Sequence, residues 1–344
     1  MRNAQLGLIA AFVVPALVAA CDPDPSDPEV VDTTWTEAFD ASGAGWLLSV
    51  WGPAPGQRFA VGGTPTEGRI EKEQADGSWA PVAVPAGVPL LNWVFGFGSS
   101  DVVVVGNDGT ILRGDGTTFS QVASPTDQDL WGVWGAAPDD LWAVGGNASP
   151  GGVPTILRWD GATWTSLAVP ALQKGDVRAF FKVWGSSADD VLIVGHKGVV
   201  LRWNGAELVE ELVGASDDLI SVWGTGPDHV VIVGGRGNAL ITTWDGATWK
   251  TNVPTDARGV PLPGLNGVWM RSDGAFHTVG LYGTLARVDF ASLAVETAEV
   301  STPYDFHAVF GTSDDELIAV GGSFRQPAGP FVGIAFQRGM KDDE

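Results

Sequence analysis

The chain has a single cysteine, Cys21, among 344 residues, so no disulfide can close within it. Its four histidines, His196, His229, His277 and His307, show neither an H-x-H nor an H-E-x-x-H spacing, so no metal motif is legible. Basic residues are scarce: 19 Lys and Arg stand against 41 Asp and Glu, a formal net charge of −22. That balance argues against a nucleic-acid partner, because neutralising phosphates needs clustered Lys and Arg. It argues equally against electrostatic docking on an anionic lipid surface. No G-x-S-x-G, P-loop or Rossmann fingerprint stands between a strand and a helix. The sequence therefore points to no cofactor, no metal and no named reaction. Only one long apolar run is present, Leu6 to Ala20, and it is too short for a membrane-spanning helix.

That run follows a lone charge, Arg2, and ends in Leu17-Val18-Ala19-Ala20-Cys21, with small residues where a signal peptidase reads. The segment resembles the lipobox of bacterial lipoproteins. The resemblance implies cleavage before Cys21, diacylglycerol on its thiol, and export to the bacterial cell envelope, either in the periplasm or at the cell surface. Residues 1–20 are then a leader. Residues 21–32 begin with Asp22-Pro23-Asp24-Pro25-Ser26-Asp27-Pro28-Glu29. Alternating acids and prolines repel and stiffen, which gives an extended tether of roughly 3 Å per residue. The stretch lacks the glycine and the alternation of a calcium loop.

An abundance of 47 Gly, 22 Pro and 16 Trp suits a turn-rich chain with a bulky apolar core. A hairpin unit occurs seven times, opening with Val-Trp or Val-Phe and closing with Val-Gly. The openings are at Val50, Val94, Val133, Val183, Val222, Val268 and Val309, and the second Val always follows 11 residues later. In one copy, Val133-Trp134-Gly135 leads through Pro138-Asp139-Asp140 into Leu141-Trp142-Ala143-Val144, which reads as strand, tight turn, strand. A third apolar run, Ile156-Leu157-Arg158, and a fourth segment, Asp160-Gly161-Ala162-Thr163-Trp164, complete the unit. Four short strands per unit is the sheet-per-blade pattern of a β-propeller. The seventh copy has three strands, and Thr33-Thr34-Trp35-Thr36 resembles Ala162-Thr163-Trp164-Thr165. The expectation is an all-β, seven-bladed propeller over residues 33–339. Residues 33–38 add the outer strand of the last blade and close the ring, and a charged tail, 340–344, follows.

The D-G-x-T-W turns resemble the Asp-box of BNR-type propellers, which include sialidases and sortilin-like receptors, although here Asp and Gly are adjacent. The likeness is architectural. The arginine triad and tyrosine nucleophile of sialidases have no counterpart: Tyr282 and Tyr304 belong to no such motif.

Strand order assigns two faces to the ring. One carries the first-to-second and third-to-fourth turns, where Asp101, Asp139, Asp140, Asp189, Asp190, Asp228, Asp314 and Asp315 recur. Recurrence at one turn in blade after blade assigns these acids to turn hydrogen bonds rather than to acid–base chemistry. The recurring Arg113, Arg158, Arg202, Arg287 and Arg338 are structural for the same reason. The other face is irregular, with long loops at 146–154, 170–181, 254–266 and 322–330, and such loops on a rigid scaffold are where function gathers. It holds Lys174, Arg178, Lys182, His196, Lys197, Arg236, Arg258, His307 and Arg325. This basic rim on an acidic protein is the expected ligand site, for an anionic or carbohydrate ligand or an acidic partner surface. The expected function is that of a lipid-anchored, monomeric binding or scaffold protein for a protein or carbohydrate partner. The alternatives are a BNR-type glycan-active hydrolase or lyase and an assembly factor for a membrane complex. The first of these needs a carboxylate pair at the axis, for which the loop face offers Asp108, Asp176 and Asp256.

Overall fold

The computed structural model describes residues 34–272, 274–313 and 316–339. Cys21, the tether and the charged tail lie outside these residues, as do Asp314 and Asp315. Twenty-eight strands form seven four-stranded antiparallel sheets. The innermost strand of each sheet carries the repeat: Trp46–Trp51, Leu91–Gly98, Leu130–Ala137, Phe180–Ser187, Leu219–Gly226, Leu265–Ser272 and Asp305–Gly311. These open blades 1 to 7. Blade 7 continues with Leu317–Gly322 and Gly333–Arg338 and is completed by Trp35–Glu37, with Trp35 opposite Arg338. The ring therefore closes by pairing the first strand of the domain with the last, as the sequence suggests. Blades 1 and 6, whose repeats are the weakest, are complete sheets.

In blades 1, 3, 4 and 6 the Trp of the Val-Trp pair is the step to the next blade, and at the closing step Gly52 instead meets Arg58 and Gln57. A Cβ placed on Gly185 of blade 4 would lie 2.5 Å from the Trp134 ring of blade 3. Trp51 lies over Gly96, Trp184 over Gly224 and Trp269 over Gly311 in the same manner. Phe97 takes this place over Gly135. Blade 6 has Met270 where the glycine would stand, and there Trp223 Nε1 donates to the Met270 carbonyl at 2.9 Å. Large flat side chains thus fill the gap that radial sheets leave between them, and glycine lets the ring reach the neighbouring backbone. Behind each step lies a separate apolar core, so seven clusters occupy the seven blade interfaces.

Ion pairs and Asx turns hold the turn face together. Arg113, Arg158 and Arg202 each donate to the Asp that opens the second strand of their own blade, Asp101, Asp140 and Asp190, at 3.0, 3.1 and 2.6 Å. The D-G turns are Asx turns: Asp160 Oδ1 accepts from the amides of Ala162 and Thr163, and Asp245 does so from Ala247 and Thr248. The fourth strand itself begins at Trp164, so Asp160 to Thr163 form the turn rather than the strand. In blade 1 a buried Arg58–Glu73 pair holds the corresponding turn, with Arg58 Nε donating to Glu73 at 2.7 Å.

Overfilling one step should loosen the ring. Gly185→Ala is expected to lower unfolding stability by about 1–3 kcal/mol, measured by urea denaturation. Ala substitution at the open, exposed Gly175 should change it little.

Candidate binding site at the axial mouth

Each innermost strand carries a β-bulge at the same place in all seven blades: Leu48, Asn92, Trp131, Phe181, Ile220, Asn266 and His307. A bulge re-aims side chains. Here seven of them surround the axis where the strands enter from the loop face. Hydrogen bonds link the ring from blade to blade. Asn92 Nδ2 donates to the Leu130 carbonyl at 3.0 Å, Asn266 Nδ2 to Phe306 at 2.8 Å, and His307 Nδ1 to Leu48 at 2.6 Å. Lys182, next to the bulge of blade 4, donates to the Trp131 carbonyl at 2.9 Å and sits 4.1 Å from the centre of the Trp93 ring of blade 2. Gly132 makes room for it, since a Cβ there would lie 3.0 Å from Lys182 Cα. Ala179, Phe181 and Ile220 form a small apolar cluster beside it, against Trp131 and Ala148.

The electrostatics of this mouth follow from burial. Lys182 is 3% exposed and has no carboxylate beside it among the described residues. Burial lowers its pKa from the usual lysine range to about 7. His307 is pushed down to about 3 by burial and by Lys182, against the Leu48 hydrogen bond. The bulge ring contributes no carboxylate, so the axial acid pair that glycoside hydrolysis requires is not in it.

Five of the other rim cations meet acids. Lys197 Nζ contacts Asp176 at 3.1 Å and Arg178 contacts the same carboxylate at 2.8 Å. Arg236 pairs with Asp218, Arg258 with Asp256 and Arg325 with Asp305, at 2.7, 2.7 and 3.2 Å. Lys174 Nζ donates to the carbonyls of Lys197 and Ala215, and His196 Nδ1 is buried without a hydrogen-bond partner. Arg236 also lies over Phe181, and Arg325 over Tyr282. The loop face therefore pairs most of its cations with acids around an aromatic mouth, rather than presenting a field of free cations. Among the described residues no cluster of three or more His, Cys, Asp or Glu is placed to hold a metal.

Sequence reasoning missed the carboxylates that organise this face. Asp129, Asp218 and Asp305 stand four residues before the repeat Val of blades 3, 5 and 7. Each accepts the backbone N–H of a left-handed residue in the loop of the preceding blade: Asp108, Lys197 and Tyr282, at 3.1, 2.9 and 2.7 Å. Non-glycine residues in that conformation need such support. The signal was the fixed offset of Asp from Val in alternate blades.

No family model matches the chain, and no curated protein matches it in sequence. Solved structures share its fold. YCF48 bound to D1 peptide aligns at TM-score 0.64 and 16% identity, over 89% of this chain and 97% of the other. The virginiamycin B lyase of Staphylococcus aureus aligns at TM-score 0.70 and 11% identity, over 89% and 99%. The WD40 propeller domain of Doa1 aligns at 0.64 and 13%, over 88% and 96%. Identities this low show the propeller fold alone.

Lys182 gives a pH signature of the mouth. The unfolded chain holds that proton to about pH 10, and the folded protein releases it near 7. Stability should therefore rise with pH across that window. Lys182→Met should be more stable than the parent near neutrality, with the gap closing toward pH 10, as read from urea midpoints at stepped pH.

Proposed function

We propose that the protein is a lipid-anchored, extracytoplasmic binding module whose loop face docks a protein partner. One observation carries this reading. Of seven large hydrophobic side chains exposed among the described residues, five lie at the loop-face ends of strands or in its loops: Val153, Leu212, Val253, Val260 and Tyr282. They span blades 3 to 6, with Val153 and Val260 in or beside two of the long loops. Apolar side chains held among cancelled charges suit a protein surface, whereas a polyanion needs uncompensated cations. One propeller of the same fold, YCF48, holds a D1 peptide. That precedent is in keeping with a protein partner here, without bearing on which one.

In this reading residues 1–20 are the leader, Cys21 carries the diacylglycerol, and residues 21–32 let the propeller stand off the bacterial membrane. The rim cations act as paired, orienting groups around the mouth.

Two measurements test the proposal. Cys21→Ala should shift the protein from the membrane pellet to the soluble fraction of the host cells; retention in the pellet would remove the anchor. Affinity capture of the anchored protein from detergent extract should recover a partner that is lost on combined Leu212→Asp, Val260→Asp and Tyr282→Ala substitution. The same partner should survive Val209→Asp, at an exposed position on the outer strand of blade 4. Equal recovery from both variants would contradict the loop-face assignment.

A further inference from the structure

A second site lies on the side of the ring, between blades 6 and 7, and does not rest on the function proposed above. In every blade the aromatic residue of the repeat pairs across the first hairpin with a residue two before the closing Val. These partners are Phe59, Val103, Trp142, Leu192, Val231, His277 and Ile318. Six are apolar and belong to the interface cores. Blade 6 alone has a polar residue there. His277 is 4% exposed, lies beside the Trp269 ring at 6.3 Å between centres, and lines the cavity. The core behind it is correspondingly incomplete, leaving a pocket of about 420 Å³, within the range of small-molecule sites.

The lining is mixed in a particular way. Val279, Ala286, Ala298 and Val309 give a small-residue apolar surface, and Trp35 of the closing strand supplies a half-buried indole. The lining carries two arginines, Arg287 and Arg338, and two glutamates, Glu296 and Glu299, with Arg287 3.5 Å from Glu296. Thr34 and Thr297 add hydroxyls. Burial, then Arg338 and Arg287, hold His277 neutral down to about pH 3. A neutral imidazole offers one donor and one acceptor.

A site that is charge-balanced, rich in both donors and acceptors and flanked by an indole matches one ligand chemistry. We propose that this pocket binds a neutral, hydroxyl-rich ligand, a carbohydrate of one or two sugar rings. One face of the sugar lies on Trp35, and its hydroxyls pair with His277 and the Arg287–Glu296 couple. An anionic sugar would find its two arginines offset by two carboxylates, and a purely apolar ligand would leave the imidazole without a polar partner.

Saturation-transfer NMR on the detergent-solubilised full chain tests this, with glucose, galactose, N-acetylglucosamine, maltose and lactose as probes and glucuronate as the charged control. At least one neutral sugar should show transfer, and glucuronate should not exceed it. His277→Leu restores the apolar residue of the repeat, so the protein should fold with an unchanged or raised melting temperature while the sugar signal falls at least tenfold. Thr297→Trp blocks the mouth at an exposed position and should have the same effect without touching the core. Absence of transfer from all five neutral sugars would overturn the proposal. So would an undiminished signal in both variants, or glucuronate binding above the neutral sugars.

Discussion

The structure depends on one contact repeated at five of its seven blade steps: an aromatic ring from one innermost strand laid over the glycine backbone of the next. Radial sheets diverge outward and converge at the axis, so the inner step has to be thin on one side and wide on the other. Trp134 over Gly185 and Trp184 over Gly224 meet that geometry, and the invariant spacing of the hairpins keeps each ring in register with the next glycine. Where glycine is missing, at Met270, a hydrogen bond from Trp223 takes over part of the role. Once these steps are set, the seven cores, the closing strand and the two faces follow.

Both candidate sites are departures from that regularity. At the axis the backbone repeats faithfully, with a bulge in every blade, while the side chains at the bulges differ completely: aliphatic, amide, aromatic and imidazole. A rigid ring that presents seven such positions with unlike side chains is a scaffold for recognition. At the flank the departure is one residue, His277, placed where every other blade has an apolar side chain. The first site is built by varying the bulge side chains, the second by placing a polar side chain at one interface. The turn face shows the contrast, since Arg113, Arg158 and Arg202 recur opposite Asp101, Asp140 and Asp190 because they hold turns together.

Much of the fold was legible because its determinants are local and periodic. An 11-residue hairpin spacing, seen seven times, leaves little freedom in blade number, and Trp35 matched the fourth-strand pattern closely enough to place the closure. The sites were legible only in part. Lys182, Lys197, Arg236 and Arg325 were found on the right face, but which cation meets which carboxylate depends on loops brought together from different blades. Asp218 and Asp305, which neutralise Arg236 and Arg325, read in sequence as ordinary loop acids. Bulges are likewise invisible without the pairing register. His277 could have been singled out by aligning the seven hairpins, yet its meaning comes from the pocket beside it.

The central functional claim is that the loop face binds through apolar contact among cancelled charges, and salt tests it most directly. Partner capture by the anchored protein should be measured from about 0.1 M to about 1 M salt, over which the screening length falls from about 10 Å to about 3 Å. Capture that persists across the whole range is the predicted result. Release of the partner as salt rises would show that free charge, and not the apolar face, holds it.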